Sequence, residues 1–175
     1  MDFFNQTGKL AIGSRLRMLT DKITVDADAI YKMFGVALKP KWFPVFFVLS
    51  RGEAKTITSI AKEIGHSHPS VSNIIKEMVA KGLVKETKDK SDGRRNMVML
   101  SAKGKRMSDS FSEQCIDVTA AIEQITQQTR NDLWEAIEEW ENLLLDKSLL
   151  ERVKEAKKER ESKDIKIVPY EPCYQ

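Results

Sequence analysis

The residues best equipped for chemistry sit on one face of a single short stretch. Pro69, Ser70, Ser72, Asn73 and Lys76 fall together by three-four spacing, while Val71, Ile74, Ile75, Met78 and Val79 occupy the opposite face. The polar face is short-chained and, Lys76 apart, uncharged. Small hydroxyl and amide groups approach base edges without steric conflict: an Asn amide pairs bidentately with adenine, and a Ser hydroxyl bonds base edges or phosphates. Ser67 stands where it caps a helix, Pro69 falls in the first turn, where a missing N–H costs nothing, and His68 reads as a phosphate or base contact. A second group, Lys88, Lys90, Asp92, Arg94 and Arg95, lies in and beside the turn-rich run Asp89–Arg95. The simplest alternative role for that group is a solubilising hairpin tip.

Other chemistries lack their residues. No paired carboxylates, nucleophile-base set or phosphate-cradling glycine loop is evident, and the eight glycines are scattered at helix ends and turns, so the chain reads as non-enzymatic. His66 and His68, the two histidines, have no Cys, Asp or Glu beside them at a metal-ligand spacing, and neither metal nor cofactor is expected. Cys115 lies on an apolar helical stripe with no basic neighbour to lower its pKa, which suits a buried inert thiol better than a redox sensor. Cys115 and Cys173 have no partner spacing, as in a reducing compartment.

The polar face needs elements to hold it. Thr56 or Thr58 can cap a short helix whose apolar positions Ile57, Ile60, Ala61 and Ile64 share a face, and Gly65 stops it. A second helix runs from Ser67 to Gly82. Leu83–Lys88 then starts a strand whose return partner is Asn96–Leu100, with the basic tip between them. This is a helix-turn-helix followed by a β-hairpin wing.

The run Ile60-Ala61-x-x-Ile64-Gly65-x-Ser67-x-Pro69-Ser70-Val71-Ser72, then Lys81-Gly82-Leu83-Val84, then Asp89-x-x-Asp92-Gly93-Arg94 leading to Leu100-Ser101-x-x-Gly104, resembles the winged helix-turn-helix of the MarR family of bacterial transcriptional regulators. The blocks come in that family's order and spacing, and the likeness extends with less specificity from about Gln6 to Lys158. The resemblance implies a mainly α fold with a small β-hairpin wing and long N- and C-terminal dimerisation helices. It implies that Arg94 reaches toward the minor groove while Asp92 orients it, with Lys88, Lys90 and Arg95 adding phosphate contacts. It further implies a homodimer on double-stranded DNA, and a small, often aromatic, effector bound between the long helices and the DNA lobe by residues the sequence does not assign.

The flanks fit that plan. Leu16, Leu19, Ile23, Ala27, Ile30, Phe34 and Ala37 suggest one long amphipathic helix from about Gln6 to Leu38, bent near Thr24-Val25, before Pro40 and Pro44 break the pattern. Val45–Leu49 reads as a buried helix at the base of the lobe, with Trp42 and Phe46 as core. Ser101 can cap a second long helix carrying Met107, Phe111, Cys115, Val118, Ile122 and Ile125; Thr129-x-x-Asp132 marks another start, followed by Leu133, Ile137, Trp140 and Leu144. Expected boundaries are 1–40 for an N-terminal dimerisation helix, 41–101 for the DNA-binding lobe, 102–161 for C-terminal dimerisation helices with a charged extension, and 162–175 for a linker. Ile165–Gln175 alternates like a first strand and resembles the start of a GNAT-type acetyltransferase domain, the alternative being a surface strand.

Charge sharpens the picture. The whole chain is formally +3, yet Lys55–Arg106 holds twelve basic against five acidic residues, a net of +7, while the remainder nets −4. The N-terminus lacks a signal-peptide pattern, and the apolar run Trp42–Leu49 is far shorter than the roughly 20 residues of a membrane span. A cytoplasmic protein is expected. Two other classes compete: the regulatory segment of an acetyltransferase fusion, and a winged-helix module that binds proteins. The basic wing argues against the latter.

Overall fold

The computed structural model describes residues 2–88 and 96–163. Lys90, Asp92, Arg94 and Arg95 of the expected wing tip, and the strand-like Ile165–Gln175, lie outside them. The chain divides into two compact units, one spanning Met18–Val118 and the other built from Met1–Arg17 with Thr119–Gln175.

The Met18–Val118 unit is assembled around a short apolar helix. Pro40–Trp42 forms a single 3₁₀ turn, and α3 (Phe43–Ser50) follows with Pro44 in its first turn. Trp42, Val45, Phe46, Val48 and Leu49 are buried, as their density of large apolar groups suggests. Each such side chain taken from water contributes about 1.5–3 kcal/mol. Around them pack Ile60 and Ala61 of α4 (Ile57–Glu63), Val71, Ile74, Ile75 and Met78 of α5 (His68–Ala80), and Phe111 of α6 (Ala102–Gln128), whose ring meets that of Phe46 edge-on at 4.8 Å. Val79 departs from expectation: at 39% exposed it lies past the flank of α5's apolar stripe.

Three strands complete the unit. β2 (Val84–Lys88) and β3 (Asn96–Leu100) pair antiparallel from Val84↔Leu100 to Lys88↔Asn96. The sequence left out β1 (Lys55–Thr56), two residues that pair with Val98 and Met97 and place β3 at the centre of a β1-β3-β2 sheet. Two residues carry no periodicity. Thr56 then ends the strand and caps α4 at once, its hydroxyl accepting the Ser59 N–H at 3.1 Å.

The Leu100-Ser101-x-x-Gly104 block has a physical cause. The Ser101 backbone N–H donates to Leu83 O at 2.9 Å, its hydroxyl donates to Gly82 O at 2.6 Å and accepts the Gly104 N–H at 3.1 Å. A Cβ on Gly104 would stand 2.2 Å from Leu83 O, so only glycine lets α6 lie this close to the start of the hairpin.

Tyr31 of α2 (Ile12–Met33) joins this core and is hydrogen-bonded with Gln114 of α6. Burial, with Cys115 and Asp28 nearby, pushes its hydroxyl up to about 12 despite the hydrogen bond, which acts the other way. Cys115 is half-buried, not fully so, and burial pushes its thiol up, the opposite of what a reactive thiolate needs.

The N-terminal helix differs from its expected form. α1 (Asp2–Thr7) gives way to a 3₁₀ turn at Gly8–Ala11, and α2 then runs as one helix to Met33 through the Thr24-Val25 pair. The Thr24 hydroxyl donates to Thr20 O within the helix. The helix also ends short of Leu38, the Val36 N–H closing back on Tyr31 O after Gly35.

In the other unit, α7 (Leu133–Asp146) is capped by Asp132, whose carboxylate accepts the Trp134 and Glu135 N–H groups. Thr129 is not the cap; its hydroxyl donates to preceding and following carbonyls. Leu133, Ile137, Trp140 and Leu144 on α7 are all exposed in the single chain. α8 (Leu149–Ser162) opens with a Ser148/Glu151 capping box, and Arg152 donates to Leu143 O and Lys147 O, closing the end of α7.

Candidate nucleic-acid interface

Two backbone closures fix the orientation of α5. Gly65, with φ +65°, lets the His66 N–H reach Ala61 O at 3.0 Å; Gly82, with φ +69°, does the same for Leu83 N–H and Met78 O at 3.0 Å. Between them Ser67 caps α5 by accepting the Ser70 N–H, and Pro69 lies in the first turn. The apolar face is locked into the core, so the opposite face is presented by default.

That face carries the expected residues. Ser67, His68, Pro69, Asn73 and Lys76 are exposed, and Ser70 and Ser72 half-buried. Lys88 is exposed at the far end of β2. The structure thus brings Ser67–Lys76 onto one helix; for the remaining wing residues it gives no placement. The His66 ring, with Nδ1 2.8 Å from Ile64 O, is held at the turn.

Sequence reading missed two neighbours of this face. Glu77 lies one turn beyond Asn73, and its carboxylate accepts from Lys41 Nζ at 2.7 Å and from Trp42 Nε1 at 2.9 Å. These hydrogen bonds, Lys41's first, hold the Glu77 carboxyl below the usual carboxylate range. With Pro40, Pro44, His66, Ser70, Asn73 and Ile74, the pair lines a cleft of about 380 Å³ between the Pro40–Trp42 turn and α5. The partners lie more than thirty positions apart, beyond any local pattern, although Glu77 does continue the Ser70, Asn73 stripe.

The described residues form a helix-turn-helix with a polar outer face, followed by the antiparallel strands β2 and β3, with a long helix on either side in sequence. The model of the MarR family matches residues 38–95, from just before the Pro40–Trp42 turn to just short of β3. The fold is that of a MarR-family transcriptional regulator. Among solved structures, the transcriptional repressor CouR bound to a 23-mer DNA duplex superposes with a TM-score of 0.60 at 20% identity, covering 80% of this chain and 97% of that one. The adhesin competence repressor AdcR from Streptococcus pyogenes gives 0.57 at 19% identity, covering 77% and 95%. The PcaV regulator from Streptomyces coelicolor, in complex with its natural ligand, gives 0.56 at 14% identity, covering 78% and 92%. At these identities the likeness is one of fold. No curated protein matches the sequence.

Among the described residues, no group of three or more His, Cys, Asp or Glu is disposed to hold a metal ion. Among the same residues, no helix is long and apolar enough to cross a membrane.

Proposed function

We propose that this chain is a DNA-binding transcriptional regulator that acts as a homodimer on a pseudo-palindromic duplex. The observation that carries this reading is the outer face of α5: Pro69, Asn73 and Lys76 are exposed, with Ser70 and Ser72 half-buried beside them, on a helix that backbone closures fix at both ends. α5 enters the major groove, where Asn73 bonds adenine and the serines bond base edges or phosphates. Lys88, Lys90 and Arg95 follow the backbone, and Arg94, oriented by Asp92, enters a narrow A·T-rich minor groove whose enhanced negative potential attracts a guanidinium.

Dimerisation belongs to the mechanism. Two half-sites one helical turn apart, about 34–36 Å, are bound together only when the protein holds two reading helices at that separation. The exposed apolar residues of α7 support such pairing. Regulation by a small effector is part of the proposal, the PcaV structure with its natural ligand being a precedent in this fold.

Selection of bound duplexes from a random pool tests the whole reading. The expected result is a two-fold-symmetric sequence, bound with an affinity that falls steeply with salt, at a log-log slope of about −0.9 per phosphate contacted. A flat salt response, or no duplex binding at low salt, favours a protein-binding winged helix instead.

A further inference from the structure

We propose that the cleft between the Pro40–Trp42 turn and α5 is a further DNA contact: it receives a backbone phosphate of the duplex whose groove α5 enters, with Lys41 as the cationic ligand. The inference rests on the DNA-binding reading above and adds to it a residue from outside both the helix-turn-helix and the wing.

The cleft and the reading face share a wall. Ser70 and Asn73 line the cleft that Lys41 closes from the other side. A helix in a major groove about 12 Å wide has a phosphate strand running past each flank. If Asn73 reaches a base edge, the strand on the side of the Pro40–Trp42 turn therefore passes over Lys41. The Lys41 side chain is 54% exposed and uses one of its three N–H donors on Glu77, which leaves two for a phosphate.

Lys41 is also held in place. The buried Trp42 donates to one Glu77 oxygen and Lys41 to the other, so the ammonium is referenced through the carboxylate to the core. Lys39 lies over the Trp42 ring at 5.3 Å and adds a second positive charge at the same corner. Two lysines against one carboxylate leave that corner net positive, which suits an anion.

Salt titrations of duplex binding by the full chain test this, with Lys41→Gln and the double variant Lys41→Gln/Glu77→Gln on both the selected site and random duplex. The double variant keeps the wild-type net charge, so it separates a specific contact from overall charge. In both variants the log-log slope should become shallower by about 0.9 for each Lys41 lost, equally on both duplexes, so that a fourfold rise in salt costs them about 3.5-fold less affinity per site than it costs wild type. Thermal melting monitored by circular dichroism establishes that each variant is folded, and Lys41→Gln, a change at the surface, is sufficient if the double variant is not. A slope unchanged from a DNA-binding wild type overturns the phosphate contact and leaves the DNA-binding reading standing. Absence of duplex binding by wild type at low salt overturns both.

Discussion

At the scale of single residues, Asn73 is the proposed base contact. It is exposed midway along α5, its side chain offers both a donor and an acceptor, and Pro69, Ser70 and Ser72 on the same face are short. Asn73→Ala is expected to cost about 1–3 kcal/mol on the selected site and less on random duplex, measured by fluorescence anisotropy. Equal losses on both would make Asn73 a backbone contact. The polar face was legible because helical spacing alone separates it from the buried stripe. Lys41 and Glu77 were not, because their meeting depends on how the Pro40–Trp42 turn folds onto α5, which no local pattern encodes.

Elements were most legible where a cap or a stop has a chemical signature. Ser67, Ser101, Gly65 and Gly82 sit where their residue types predict, and β3 has the expected bounds. Differences fell where several solutions satisfy one pattern: a 3₁₀ turn at Gly8–Ala11 ahead of the long helix, a cap from Thr129 or from Asp132, and a strand of two residues. Gly104 shows how tightly these elements are joined. Gly104→Ala should destabilise the fold by about 3 kcal/mol in chemical denaturation, because its methyl group would meet a backbone carbonyl instead of a yielding side chain. Packing of α2 on α6 predicts a pH effect. The Tyr31 hydroxyl titrates near 12 when folded and near its ordinary 10.0 when unfolded, so its contribution is complete below the lower value and is lost as pH climbs toward the higher. Tyr31→Phe should remove that alkaline component, up to about 2–3 kcal/mol, from the pH dependence of unfolding.

At the level of the whole molecule, the apolar residues on α7 call for a partner surface. Leu133, Ile137, Trp140 and Leu144 recur at helical spacing and remain exposed in one chain. Trp140→Glu is expected to shift the protein from dimer to monomer in sedimentation experiments and to lower affinity for a two-half-site duplex by at least tenfold, with little change for a single half-site. The class of fold was legible from the winged-helix blocks, since their order along the chain mirrors the order in which the lobe is built. The 3₁₀ turn at Gly8–Ala11 was not, because it lies at the start of the apolar stripe and leaves its spacing unchanged. Thr56 is shared between the sheet edge and the first helix of the reading pair. It pairs with Met97 on the central strand while its hydroxyl caps α4 through the Ser59 N–H, so the sheet and the helix-turn-helix have one residue in common and a change at Thr56 acts on both.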